Sequence, residues 1–298
     1  MTSTFHAAVV QAATVWGPAS REENLANAYH YAKEAADRGA RIACFPETFP
    51  GEWRMPVTWV PLVELRAIAR EVGIYLVGGY AEPLDSDGVR CYNALALVGP
   101  DGAEVGVYRR TTPAHAPWIY KGGDYWDFDW VPADELPVFE TELGVIGLLV
   151  CSEVYAPELA RILALKGAEL IFIPAGLLGS TTSLVPTWRT LVWARAIENL
   201  AYTAVCSNVV SEDEQGLAMI CSPEEVLLES RETGVHVAPV DIERVRWLRQ
   251  EQDRLVDEPE PWRAKPGALR DWRRQAVLDA HPILTQGAEE AEAALRTG

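Results

Sequence analysis

Basic residues are the chain's first shortage. Lysine and arginine number 26 against 43 aspartates and glutamates, giving a formal net charge of -17. Such a surface repels phosphate backbones, so no nucleic-acid partner is expected. The acid is spread along the chain, with a local concentration at Glu289 to Glu292, and reads as a solubility feature rather than a binding face. No apolar run approaches the roughly 20 residues needed to span a bilayer, so no membrane segment is expected. The N-terminus lacks a basic region followed by an apolar one, so no signal peptide is visible and the expected location is cytoplasmic. The cysteines, Cys44, Cys91, Cys151, Cys206 and Cys221, are odd in number and widely spaced, with no Cys-x-x-Cys. That pattern speaks against a disulfide framework or a zinc knuckle, and no metal or cofactor is expected.

Apolar material is plentiful: 49% of 298 residues, ample for a sizeable core in one large domain or two small ones. The richest stretch is 143–175. Val145 to Val150 is continuous and β-branched, the pattern of a strand buried on both faces. Cys151 follows where the pattern turns polar. Pro157 suits a first helical turn, and Leu159, Ile162, Leu163 and Leu165 are expected to form that helix's apolar face. Gly167 ends it, and Ala168 to Ile173 reads as a second buried strand. In an open parallel sheet, ligands bind beyond the carboxyl ends of strands. Cys151 stands at such an end, ahead of a helix N-terminus whose partial positive charge favours the thiolate. The alternative is a buried small hydrophobe, the usual fate of a free cysteine.

The rest repeats this cadence. Phe5 to Ala12 reads as a strand. A capping box at Ser20 and Glu23 opens a helix to about Arg38, with Leu25, Ala28, Tyr29, Ala32 and Ala36 inward. Arg41 to Phe45 is a second strand, leaving Glu47 just past its carboxyl end; the alternative for Glu47 is an ordinary solvated loop carboxylate. A helix over 62–72 and a strand over 74–79 follow. Asn93 to Val98 and Glu104 to Arg109 form a hairpin across Gly99-Pro100-Asp101-Gly102. Thr111 to Pro137 is a long insertion carrying Trp118, Tyr120, Tyr125, Trp126, Phe128 and Trp130. It reads as a lid or binding surface, or as aromatic packing that pins the loop. Thr187 to Asn199 is a helix, and strands are expected at 201–206, 217–221, 226–229 and 235–240. From about Ile242 the chain is charged and helical, and Trp247, Trp262 and Trp272 suggest that it packs on a partner subunit. Two rounds of alternating strands and helices argue a layered α/β sandwich, sheets inside and helices outside, most simply as one domain.

These residues resemble the nitrilase, or carbon–nitrogen hydrolase, superfamily. Phe45-Pro46-Glu47 is similar to its first motif. Gly147 to Cys151-Ser-Glu153, with Tyr155-Ala-Pro157-Glu158 and Arg161, is similar to its cysteine motif, which continues through Gly167-Ala168-Glu169 and Ile173-Pro174-Ala175. Trp188-Arg189, Arg195-Ala196-Ile197-Glu198-Asn199 and Asn208 resemble its downstream helix and strand. Together they cover roughly residues 5–245. The resemblance implies a four-layer αββα sandwich that dimerises, a Glu–Lys–Cys catalytic set, a hydrolase domain over 1–270, and a tail over 271–298 that packs at a subunit interface or is partly disordered.

The residue types fit such chemistry independently. Splitting an amide or nitrile needs a nucleophile that forms an acyl or imidate intermediate, a base in a dry pocket, and donors facing the developing oxyanion. Cys151 and Glu47 suit the first two roles. In the third the sequence departs from the family: the lysine position in Val107-Tyr108-Arg109-Arg110 holds Arg110. Arginine keeps its charge and donor fork but cannot shuttle a proton. Three readings stay open: Arg110 substitutes electrostatically, Lys121 reaches in from the insertion, or the site is impaired or repurposed. Glu153, Lys121, His115, Trp118 and Tyr155 are the expected supporting residues. Glu153 would orient neighbouring loops or sit in a partly exposed ion pair; His115 would be a further acid or base or a hydrogen-bonded loop histidine.

The expected function is hydrolysis of a small non-peptide amide or N-carbamoyl substrate through an acyl-enzyme. The aromatic insertion suggests a bulky or aromatic acyl group. Nitrile hydrolysis, acyl transfer to an amine and a non-catalytic binding role are the alternatives.

Overall fold

The computed structural model of the chain describes residues 4–15, 20–52, 56–112, 129–176, 184–211, 216–251, 271–272, 274–282 and 286. Contacts divide it into two compact units, Met1–Ile242 and Glu243–Gly298.

The first unit begins with strand β1 (Thr4–Ala13), helix α1 (Ser20–Asp37) and β2 (Ala40–Cys44). Helix α2 (Leu62–Val72), β3 (Tyr75–Pro83), β4 (Arg90–Val98), β5 (Glu104–Arg109) and β6 (Asp129–Trp130) complete the first half. Strands β7 (Val138–Thr141) and β8 (Gly144–Leu148) lead into a tight 3-10 turn, Cys151–Tyr155, and helix α3 (Pro157–Leu165). Then come β9 (Leu170–Phe172), helix α4 (Leu184–Asn199), β10 (Tyr202–Val205), β11 (Asn208–Val209), β12 (Ala218–Cys221), β13 (Val226–Ser230) and β14 (Gly234–Asp241). Helix α5 (Ile242–Glu251) carries the chain into the second unit, which is helical again over 274–282.

Two sheets form. The first runs β1-β2-β3-β4-β5, with β11 and β14 sharing the outer edge of β1 and β6 extending the edge of β4. The second runs β13-β12-β10-β9-β8-β7. Strands β1, β2 and β3 are mutually parallel, as are β8, β9 and β10. The parallel strands read as unbroken apolar runs because both their faces are covered: Ala7 to Val10, Ile42 to Cys44 and Leu170 to Phe172 are fully buried. Helices α1 and α2 pack on the first sheet and α4 on the second, alongside α3, while the sheets meet through β1 with β12, β13 with β14 and β5 with β7. This is the αββα sandwich expected from the sequence.

Helix α2 shows how sequence sets an element. Leu65, Ile68 and Ala69 recur at helical spacing and bury against the sheet, and Gly73 ends the helix at φ 73, its N–H donating to Ala69 O at 2.9 Å.

Two helix faces differ from expectation. In α1 the buried set is Ser20, Asn24, Ala28, Tyr31, Ala32 and Ala35, and Tyr29 is exposed. Tyr31 wins because its ring packs against Phe49 and its hydroxyl accepts from Ala13 N–H at 3.1 Å, whereas Tyr29 donates to Glu71 at the surface. In α3 only Ala160 and Leu163 are buried, and Ile162 and Leu165 are exposed. The strands β6, β7 and β11 were not expected; β6 lies inside the 111–137 insertion and pairs with β4 through Arg90 and Cys91. No described helix is long and apolar enough to cross a membrane.

Candidate active site

Glu47 and Cys151 follow parallel strands of different sheets, β2 and β8, and the face-to-face packing brings their side chains together. Glu47 sits in a turn after β2, where Thr48 adopts φ 58. That turn is fastened across the sandwich: Glu47 N–H donates to Ala175 O at 3.3 Å, and Asn208 Nδ2 donates to Glu47 O at 2.9 Å. Gly79 permits the approach of β3 beneath it, since a Cβ there would lie 2.3 Å from Thr48 N.

Cys151 opens the 3-10 turn at φ 50, an uncommon conformation for a side-chain-bearing residue. Its N–H donates to Pro174 O at 2.8 Å, so the end of β9 holds it. Further along the turn, Val154 O accepts from Arg195 Nη2 at 2.9 Å and Nε at 3.1 Å. Cys151 is half-buried, and its thiol and the Glu47 carboxylate lie near enough to shift each other's proton affinity.

Arg110, at the end of β5, is the third member. It is only 4% exposed, and its Nη1 lies 3.7 Å from Glu47 Oε1. The other edge of its guanidinium is held: Nε donates to Thr112 O at 3.1 Å and Nη2 to Ser152 Oγ at 2.6 Å. Asn93 on β4 donates through Nδ2 to Glu47 Oε1 at 2.7 Å. Glu47, Arg110 and Cys151 therefore converge.

Burial pushes the Glu47 carboxyl up, against the opposing pull of Arg110 and of hydrogen bonds from Cys151, Asn93 and the Gly176 N–H. Burial, and then the Glu47 charge, pushes the Cys151 thiol up, with Arg110 and the Gly176 N–H opposing. This shift is opposite in direction to the one expected from the sequence. Helix α3 starts only at Pro157, so Cys151 is not at its N-terminus, and burial and the Glu47 carboxylate both work against the thiolate.

Glu153 is a buried joint, 1% exposed. Its Oε2 accepts from Tyr108 Oη at 2.7 Å and Val150 N at 2.8 Å. Its Oε1 accepts from Thr111 N at 3.1 Å, Thr111 Oγ1 at 3.0 Å, Thr112 N at 3.2 Å and Thr112 Oγ1 at 3.3 Å. The segment after Cys151 and the strand end bearing Arg110 are tied together there. Tyr155 is half exposed and stacks edge-on against Trp188, with ring centroids 6.1 Å apart. None of its described contacts reaches Glu47, Arg110 or Cys151. His115, Trp118 and Lys121 lie outside the described residues. Among the described residues, no group of three His, Cys, Asp or Glu is placed to hold a metal ion.

Sequence reasoning missed Asn93, Gly176, Thr112 and the contact of Ser152. Asn93 alone carried a signal, a polar side chain opening the apolar run of β4; the others are polar groups in turns, where such residues are ordinary.

The chain matches the sequence model of the Carbon-nitrogen hydrolase family over residues 6–250. It is similar to the omega-amidase NIT2 of Xenopus tropicalis, 30% identical over 245 residues, covering 78% of this chain and 87% of that protein. It is 32% identical to the nitrilase of Pyrococcus abyssi over 246 residues, covering 76% of this chain and 86% of that one. Its fold is like that of the carbon-nitrogen hydrolase of Helicobacter pylori G27: the TM-score is 0.69 at 22% identity, covering 88% of this chain and 97% of that chain.

Proposed function

The chain belongs to the carbon–nitrogen hydrolase family of the nitrilase superfamily, and from that premise we propose that it hydrolyses a small amide through a cysteine acyl-enzyme. The observation that carries the reading is the convergence of one nucleophile, one base and one fixed cation: the Cys151 thiol on the Glu47 carboxylate, and Arg110 Nη1 at 3.7 Å from Glu47 Oε1.

In this reading Glu47 takes the thiol proton as Cys151 Sγ forms a bond to the substrate carbonyl carbon. Raised by burial, the carboxyl is a better base than one in water. The carbonyl electron pair moves onto oxygen, and the oxyanion is stabilised by Arg110, whose charge is permanent and whose position is fixed in advance. Protonated Glu47 returns its proton to the departing nitrogen, the C–N bond breaks, and a thioester remains on Cys151. A water deprotonated by Glu47 attacks the thioester, the C–S bond breaks, and the acid leaves with the thiol restored. Arginine suffices because it is asked only to donate hydrogen bonds; every proton passes through Glu47.

The test incubates the protein with a panel of amides, N-carbamoyl compounds and nitriles, following ammonia release together with intact mass. The expected result is turnover of an amide with transient acylation at Cys151, and loss of both in Cys151→Ala. Unchanged turnover in that variant overturns the proposal. Similarity to the Pyrococcus abyssi nitrilase keeps nitrile hydrolysis as the second reading, and the nitriles in the panel decide it.

A further inference from the structure

We propose that Ser152 is a positioning residue for Arg110, and that Ser152 and Thr112 together make an arginine workable beside Glu47 and Cys151. The inference rests on the acyl-enzyme reading and deepens it.

A guanidinium is a rigid plane whose five N–H groups point along fixed directions. Nε and one Nη2 hydrogen form one edge; the Nη1 hydrogens lie at the other end. The first edge is clamped, with Nε on Thr112 O at 3.1 Å and Nη2 on Ser152 Oγ at 2.6 Å. Two bonds along one edge of a plane fix its tilt as well as its place, and the plane then presents Nη1 to Glu47 Oε1 at 3.7 Å. That distance is too long for a hydrogen bond and short enough for strong charge attraction in a buried site.

The clamp is itself anchored. Ser152 follows Cys151 in the 3-10 turn, so its hydroxyl moves with the nucleophile. Thr112 is fixed because Glu153 accepts from its N–H at 3.2 Å. The cation is therefore referenced to Cys151 through its sequence neighbour and to the turn through Glu153. A lysine could not use this arrangement. Its ammonium has no Nε edge, so it cannot hold Thr112 O and Ser152 Oγ in one plane while facing Glu47.

The test reads Cys151 itself, so it needs no identified substrate. Iodoacetamide alkylation of Cys151 is followed by mass spectrometry across pH in the folded wild type, Ser152→Ala, Ser152→Thr, Arg110→Lys and the Ser152→Ala/Arg110→Lys double variant. Among the described residues, the groups facing the thiol are Glu47 from the turn after β2 and Arg110 from the end of β5, together with the uncharged Gly176 N–H. Without Ser152 the guanidinium loses one clamp and the thiolate part of its cation. Ser152→Ala should then alkylate about tenfold more slowly at a given pH, the scale of one hydrogen bond to a charged group, with the profile moved to higher pH. Ser152→Thr keeps a hydroxyl and should restore the wild-type profile. Arg110→Lys should be slowed as well, and adding Ser152→Ala to it should cost nothing more. A wild-type profile for Ser152→Ala, or an equal slowing by Ser152→Ala in the arginine and lysine backgrounds, overturns the proposal. Failure to turn over any amide, with this coupling intact, would instead count against the hydrolase reading alone.

Discussion

Replacing Glu153 by glutamine exchanges one oxygen for an NH2 group and should nevertheless be severe. Each carboxylate oxygen accepts from a backbone N–H that has nowhere else to point: Oε2 from Val150 N at 2.8 Å, Oε1 from Thr111 N and Thr112 N at 3.1 and 3.2 Å. A glutamine must turn its NH2 toward one side or the other. Facing Val150 it opposes one amide hydrogen; facing the threonines it opposes two. The hydroxyls of Tyr108, Thr111 and Thr112 can rotate to become acceptors, but the amides cannot. A buried donor left unsatisfied costs about 1–3 kcal/mol, and removing the acceptor charge from a buried network brings the total to about 4 kcal/mol. For a unit of this size that is a fall in Tm of about 8–16 °C. Thermal and urea unfolding followed by circular dichroism, on wild type, Glu153→Gln and Glu153→Ala at the same pH, measure it. Both variants should fall together. A Glu153→Gln within about 1 kcal/mol of wild type would refute the reasoning, because it would mean the amides find other partners.

Three other outcomes follow from the site. In the proposed mechanism Glu47 acts as base only when ionised, and its carboxyl is raised above the ordinary 4.5, so kcat/KM should fall as pH drops through that raised value, with an acid limb above pH 4.5. Glu47→Gln should abolish the limb and about 10²–10⁴-fold of kcat; a limb at or below 4.5 in the wild type counts against Glu47 as the base. The same group binds its proton more tightly folded than unfolded. Its contribution to stability is therefore fully present below 4.5 and is lost as pH rises through the folded value. Gly79→Ala should cost about 3 kcal/mol or more, because its Cβ meets backbone rather than a movable side chain, with Thr48 N at 2.3 Å and Pro46 O at 3.1 Å. Any folded fraction should carry a displaced Glu47 and little activity; wild-type melting and turnover would refute the close approach.

The parallel core was legible because strands covered on both faces must be apolar throughout, and Val145 to Val150 and Arg41 to Phe45 announce themselves. Glu47 and Cys151 were legible for the same reason: each is where such a run turns polar. The phase of α1 was not, since tyrosine and alanine occur on several of its faces and contacts beyond the helix, with Phe49 and Ala13, decide that Tyr31 faces inward. Nor was the protonation of Cys151, because position along the chain does not reveal how fully a thiol is enclosed or which carboxylate faces it. The fate of Arg110 depended on Ser152 and Thr112, two small polar residues whose importance comes from where β5 ends relative to the 3-10 turn. Short strands such as β6 and β11, two residues each, carry too little pattern to be seen.

The division of the site between two sheets has a consequence for the molecule's life before it is complete. Glu47, Asn93 and Arg110 leave the ribosome well ahead of Cys151, and they belong to a different layer. A half-made chain holds the proposed base without the thiol, and a chain whose layers have formed but not yet met holds both, out of reach. The proposed turnover thus becomes possible only when one layer closes on the other, and its onset can serve as a chemical clock for that last event of folding.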